Sequence, residues 1–171
     1  MVDHKLIDNL TLKARDFAEK WKNMVRKAQQ LKHYNTLDDK TLIEGNMVLY
    51  PILSKALDRG LDRSILGNDF VNLGKERMRD NFPISEVIFA INLAQKIVID
   101  YIMTEYAPES PVKMYQSMGI VSTISEFFLL GCFYITKGFL EAVYTKMNIN
   151  DSVSEELLKK YFRDDFFFKQ E

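Results

Sequence analysis

The sequence predicts an all-α protein, a helical bundle of about five main helices with long first and last helices and a short C-terminal helix. Three observations predict it. Apolar residues recur at spacings of three and four near the start, a later segment is apolar on most of its surface, and no stretch alternates like a strand. The 171 residues, 47% hydrophobic and 27% charged, suffice for one core without metal or disulfide.

The first predicted helix is amphipathic and continuous over about thirty residues. Its apolar positions are Ile7, Leu10, Ala14, Phe17, Trp21, Met24, Ala28 and Leu31. We expect five of them in the core: Ile7, Leu10, Phe17, Trp21 and Met24. Seven basic and two acidic side chains lie between Lys13 and Lys32, and this charge is typical of a solvated helix face. With a net charge of −1 the chain has no basic surplus to hold nucleic acid.

The second helix is predicted to open with Thr36 as its cap, because Asp39 follows at capping-box spacing. Pro51 lies inside the helical pattern and predicts a kink or break between Met47 and Tyr50. Gly60 is a plausible stop.

Ser64 then caps a shorter helix that ends before Pro83. Asn81-Phe82-Pro83 predicts a helix boundary, with the Phe82 ring in the core. From Pro83 or Ser85 to Glu105 the chain is again helical and apolar on more than one face, so neighbouring helices should surround it.

Pro108 and Pro111 bound a loop, and Val112 to Met147 is predicted as one helix about 50 Å long. Two glycines on it, Gly131 and Gly138, either permit close approach of another helix or are tolerated at a cost of about 1 kcal/mol each.

We divide the chain into a bundle domain, residues 1–150, and a C-terminal short helix with an aromatic tail, residues 151–171. The helix is predicted over Ser154–Phe162, since Ser152 and Glu155 have capping-box spacing. The tail either packs on this bundle or its dimer mate, or docks a separate output protein. The side chains that would dock are Tyr161, Phe162, Phe166, Phe167 and Phe168.

The sequence supplies few residues for catalysis or metal binding. His4 and His33 are the only histidines and lack the spacing of zinc or di-iron helices, so we expect no metal and no cofactor. Cys132 lies among apolar residues and is expected in the core. No phosphate-binding glycine loop or nucleophile elbow occurs.

One polar feature allows two interpretations. Glu126 lies within an apolar helix, and it either faces water or closes a small polar site inside the bundle. The residues of that tentative site are Arg77, Arg79, Lys96 and Glu126.

The chain lacks a signal peptide at its start, and its longest uncharged apolar run is too short for a bilayer, so we expect a cytoplasmic protein without membrane insertion. The apolar area of the long helices also predicts a homodimer.

The order of these features resembles the N-terminal domain of the RsbT co-antagonist RsbRD family. The likeness covers Leu6 to Met147 and rests on the Trp of the first helix, on Tyr-x-x-Leu-Asp-Asp-x-x-Leu at Tyr34 to Leu42, and above all on RMRDNFPISEV at Arg77 to Val87. The resemblance implies a helical regulatory module, usually followed by an output domain such as STAS, histidine kinase or GGDEF. It carries no catalytic residues.

Only some two dozen residues follow Met147, so we expect a module without an attached output domain, which either works alone or has a separate polypeptide as its output. Two functional classes remain open. The first is a non-enzymatic bacterial signalling module, and the second is a small-molecule-binding protein or enzyme with a pocket among aromatic residues such as Trp21, Phe128 and Tyr134.

Overall fold

The computed structural model describes residues 4–105 and 111–149. Within this range the chain is all-α, as predicted, and forms seven α-helices and one short 3-10 helix, with no strand. The helices are α1 (His4–Leu12), α2 (Ala14–Lys27), the 3-10 helix (Tyr34–Thr36), α3 (Asp39–Met47), α4 (Leu49–Arg59), α5 (Arg63–Arg79), α6 (Ile84–Glu105) and α7 (Pro111–Ile149). The predicted C-terminal helix and aromatic tail lie outside the described residues.

The predicted first helix is two helices joined by a bend at Lys13. The Lys13 N–H donates to the Asn9 carbonyl at 2.9 Å, and the Lys13 carbonyl accepts from the Phe17 N–H at 3.0 Å. Hydrogen bonding therefore continues through the bend. α2 ends at Lys27, earlier than expected, although Leu31 is still buried. Four of the five positions predicted for the core are buried: Ile7, Leu10, Phe17 and Trp21. The fifth, Met24, is partly buried against the core.

The cap of α3 is Asp38 and not Thr36. The Asp38 carboxylate accepts from the Thr41 N–H at 2.9 Å and from the Thr41 hydroxyl at 2.6 Å. The expected break before Pro51 is confirmed, because α3 and α4 are separate helices and Pro51 lies in the first turn of α4, where a missing N–H costs little. Gly60 ends α4 with a φ of 86°, a conformation that favours glycine.

The junction between α5 and α6 also follows the prediction. Asn81 has a φ of 60°, in the left-handed region that asparagine tolerates. The Phe82 ring is buried against two rings near the 3-10 helix, with centroid separations of 4.6 Å to His33 and 4.8 Å to Tyr34. Phe82 thus fixes the start of α6 against the loop that follows α2.

The backbones of α5 and α7 cross in direct contact. A Cβ on Gly138 would overlap the backbone of Val71, and a Cβ on Gly74 would overlap a carbonyl of α7. At Gly131 a Cβ would lie 3.0 Å from the Phe70 ring. Of the two interpretations of Gly131 and Gly138, these contacts support close approach of another helix. Gly74 is the partner glycine, which was not predicted from the sequence.

Candidate functional site

A cleft opens between α3 and α5. It encloses a cavity of about 570 Å³, within the range of ligand pockets. Its inner part is lined by buried apolar side chains from α2, α3, α4, α5 and α6: Trp21, Leu42, Leu49, Phe70, Val87 and Ile91. The cleft therefore offers an apolar interior of ligand size.

Three exposed carboxylates lie at the rim of this cleft, Glu44 on α3 and Asp69 and Glu76 on α5. Asp69 and Glu76 are seven residues apart, about two turns, and so share one face of α5. Glu44 lies 3.9 Å from Lys40 in a solvent-exposed pair. Neither Asp69 nor Glu76 makes a side-chain hydrogen bond or ion pair with another described residue.

Asn46 places an amide inside the cleft. Its residue is 6% exposed, and its Oδ1 accepts from the Tyr50 hydroxyl at 2.7 Å. Among the described residues the amide nitrogen makes no hydrogen bond, and Asn46 is one of the residues that line the cleft. Burial raises the pKa of Tyr50, which therefore stays a neutral donor to Asn46.

Arg77 closes one end of the cleft. Its guanidinium carbon lies 4.9 Å from the Phe82 ring centroid and 5.9 Å from that of Tyr34. Its Nη2 lies 3.8 Å from where a Cβ on Gly45 would be, so the side chain spans from α5 to α3. Burial raises the pKa of Tyr34 to about 12, against the opposing effect of the Arg77 charge.

Glu86 anchors the loop beside this end. Its Oε2 accepts from the backbone N–H of His33 at 2.8 Å and of Tyr34 at 3.4 Å. A carboxylate at the start of the 3-10 helix satisfies donors that would otherwise be unpaired. Glu86 lies in the first turn of α6, three residues after Pro83, and its role was not predicted from the sequence.

The four residues of the tentative polar site occupy different surroundings. Of them, only Arg77 lines the cleft. Arg79 is exposed near the end of α5, and Lys96 is exposed and pairs with Asp100 at 2.7 Å. Glu126 is exposed on α7, which supports the interpretation that it faces water.

The buried acidic side chain of α7 is Glu141, 4% exposed, and its Oε2 lies 2.7 Å from Lys75 Nζ on α5. Lys75 is adjacent to Gly74 and Glu141 is one turn from Gly138, so the ion pair lies beside the α5–α7 crossing. The sequence signal that could have predicted this buried pair is the position of Glu141 one turn after Gly138.

The three aromatic residues expected to share one pocket do not lie together at the cleft. Trp21 lines the cleft, whereas Phe128 and Tyr134 are buried on α7 and do not line it. Cys132 is half-buried against the core, and burial raises the pKa of its thiol. Among the described residues no group of three His, Cys, Asp or Glu could hold a metal ion.

α7 also carries large apolar side chains that face solvent. Tyr115 is 81% exposed, Met118 61%, Leu129 71% and Phe133 53%. Their spacings of three, eleven and four residues place them along one side of the helix. We call these four residues the α7 apolar face. Large apolar side chains that face solvent on one side of a helix are typical of an interaction surface.

Two segments, Ile84–Thr104 of α6 and Tyr115–Met147 of α7, are long and apolar enough to cross a membrane by length and composition alone. In the most apolar part of each segment, 39% is buried within the bundle for α6 and 33% for α7. Core helices of soluble bundles have the same length and composition.

The fold and the cleft define a helical module with a ligand-sized cavity and an exposed helix face. Residues 3–141 match the family described as histidine kinase N terminal, and the chain belongs to that family. This supports the broader interpretation of a bacterial signalling sensor module, whereas the RsbRD resemblance is not confirmed. Neither the comparison with curated proteins nor that with solved structures gave a match.

Proposed function

We propose that this chain is a ligand-sensing regulatory module in which occupancy of the cleft is communicated through α5 to α7. One observation carries the proposal. α5 is a wall of the cleft, through Asp69, Leu73 and Glu76, and is also the helix whose backbone contacts α7.

The contacts between α5 and α7 favour joint movement of the two helices. Gly74 and Gly138 lie at the crossing with no room for a Cβ, so sliding there would create overlap. The Lys75–Glu141 ion pair ties the same turns together across the interface. A ligand that shifts α5 by a fraction of an ångström therefore shifts α7 as well.

The output surface in this proposal is the α7 apolar face. We propose that it forms a homodimer, and that the dimer in turn regulates a separate signalling output protein. The RsbRD resemblance, whose key residues Arg77 to Val87 lie within the matched region, is compatible with this regulatory role.

We further propose that the module is non-enzymatic and cytoplasmic. The side chains that line the cleft are apolar, aromatic, amide and carboxylate groups, together with the Thr41 hydroxyl and the Arg77 guanidinium. Among the described residues, no histidine or cysteine lines it. Thiol catalysis therefore has no group there, and the three carboxylates of the rim lie in solvent, where burial does not tune a carboxyl group for acid–base work.

The proposal is tested by adding 1-octanol, a small neutral amphiphile, to the purified protein. Trp21 is the single tryptophan and lines the cleft, so its fluorescence reports occupancy. We expect saturable octanol binding, together with altered hydrogen exchange of α7 amides near Gly138. Binding without any change in α7 would contradict the communication, and no binding would contradict the ligand site.

A further inference from the structure

We infer that the cleft recognises an organic cation with an apolar body, such as an alkyl or aryl amine. This inference rests on the proposed function and specifies the chemistry of its ligand. It follows from the charge of the rim, the polarity of the interior and the position of the two walls.

The rim attracts positive charge. Glu44 on α3 and Asp69 and Glu76 on α5 bring three carboxylates to the cleft, against one lining cation, Arg77. Arg77 is already engaged, because its guanidinium lies over the Phe82 and Tyr34 rings at the end of the cleft. Glu44 has Lys40 at 3.9 Å in an exposed pair, whereas Asp69 and Glu76 form no ion pair with a described residue, so a cationic group entering from solvent meets a net negative charge.

The interior excludes an inorganic cation as the natural ligand. The buried part of the cavity presents Leu42, Leu49, Phe70 and Val87, which contribute no oxygen ligands from their side chains. An apolar body fits this part, and Asn46, which lines the cleft and whose amide nitrogen makes no hydrogen bond among the described residues, offers a donor for an acceptor on the ligand. A cationic head at the rim and an apolar body inside match both regions.

The cation would also act on the walls. Glu44 belongs to α3, whereas Asp69 and Glu76 belong to α5, so like charges border the cleft on both sides. Like charges repel, and a cation placed between them replaces repulsion with attraction. Binding thereby draws α5 towards α3, the movement that the contact with α7 would communicate.

The test compares octylammonium, 1-octanol and octanoate, which share one chain length and differ in charge. Dissociation constants are measured from Trp21 fluorescence at low and at high salt. We expect octylammonium to bind about tenfold more tightly than octanoate at low salt, and less so at high salt, because exposed charges are screened.

The triple variant Glu44→Gln, Asp69→Asn, Glu76→Gln should lose this preference and keep its affinity for octanol. A control with the same change in net charge, Asp8→Asn, Glu19→Gln, Asp100→Asn, alters exposed carboxylates that do not line the cleft and should keep the preference. Octanol binding with no charge preference, or a preference for octanoate, overturns the inference and leaves the proposed function standing. Failure of all three to bind overturns both.

Discussion

Lys75 on α5 and Glu141 on α7 form an ion pair of 2.7 Å in which the Glu141 side chain is only 5% exposed. Removing the cation takes away the ion-pair partner of a carboxylate that stays in a poorly solvated place. The pair lies beside the glycine crossing and joins the wall of the cleft to the helix that carries the α7 apolar face. Its removal should therefore affect both stability and signalling.

Replacing Lys75 with methionine should lower the free energy of unfolding by about 2 kcal/mol, because Glu141 stays buried, while the partial exposure of Lys75 moderates the loss. Lys96→Met is the matched control, since its pair with Asp100 has the same 2.7 Å distance but both side chains are 58% exposed. The control should change stability by about 0.5 kcal/mol or less. Urea denaturation measures both, and equal losses would contradict the buried-pair interpretation.

The double variant Lys75→Met, Glu141→Leu removes both charges and should recover most of the stability lost in Lys75→Met, since apolar replacement of a buried pair is often neutral. Thermal unfolding of the double variant checks this. A double variant less stable than the single one would show that Glu141 is held mainly by other contacts.

Alanine at the helix crossing should be strongly destabilising. Gly138→Ala and Gly74→Ala each force a Cβ against backbone atoms, and we expect a loss of about 3 kcal/mol from each. Gly119→Ala lies on the same helix as Gly138 with no atom within 4 Å of the added Cβ, and should stabilise by about 0.5–1 kcal/mol. Circular dichroism melting distinguishes them, and a tolerated Gly138→Ala would refute the close contact.

Stability should fall as the pH rises from 10 to 12. The pKa of Tyr34 is raised from 10.0 to about 12 in the folded protein, mainly by burial, so the folded state holds the phenol proton more tightly. This contribution is complete below pH 10 and is lost as the pH rises through 12, with a limit of about 3 kcal/mol. Tyr50, whose pKa is also raised by burial, acts in the same direction.

The variant Tyr34→Phe should show a shallower decline of unfolding free energy between pH 10 and 12. Tyr115→Phe removes a phenol that is 81% exposed and should leave the decline unchanged. Denaturant titrations at several pH values provide the comparison, and identical slopes for Tyr34→Phe and the unmodified chain would contradict the assignment.

The α7 apolar face should hold a homodimer together. Leu129→Glu with Phe133→Glu places two charges on this face and should convert a dimer to a monomer at micromolar concentration. Leu12→Glu is the control, because Leu12 is 79% exposed on α1, a different helix. Sedimentation velocity measures the mass, and a monomeric unmodified chain at tens of micromolar would exclude the dimer.

The helices could be predicted from apolar spacing and from residues that end or begin helices, because both signals act between residues close together in the sequence. The apolar spacing fixed the core side of α1 and α2, Pro51 marked the break before α4, and Phe82 marked the start of α6. The cap of α3 was misplaced by two residues, because Thr36 and Asp38 are both good caps and only the observed hydrogen bonds to Thr41 select Asp38.

The site was harder to predict because it depends on packing between distant segments. Glu126 and Glu141 both lie in the apolar α7, but Glu126 shares its side of the helix with the exposed Leu129 and Phe133, whereas Glu141 faces α5. An apolar neighbourhood therefore did not identify the buried side. The cleft exists because α3 packs on α2 and leaves a gap to α5, and no local pattern encodes that gap.

The most direct test of the account is the dimer dissociation constant, measured by analytical ultracentrifugation with and without saturating octylammonium. We predict a change of at least about fivefold for the unmodified chain, the lower end of typical coupling between sites. In Lys75→Met, Glu141→Leu, where α5 and α7 lose their ionic link, the change should be smaller. A dissociation constant that is the same with and without bound octylammonium in the unmodified chain would contradict communication from the cleft to α7.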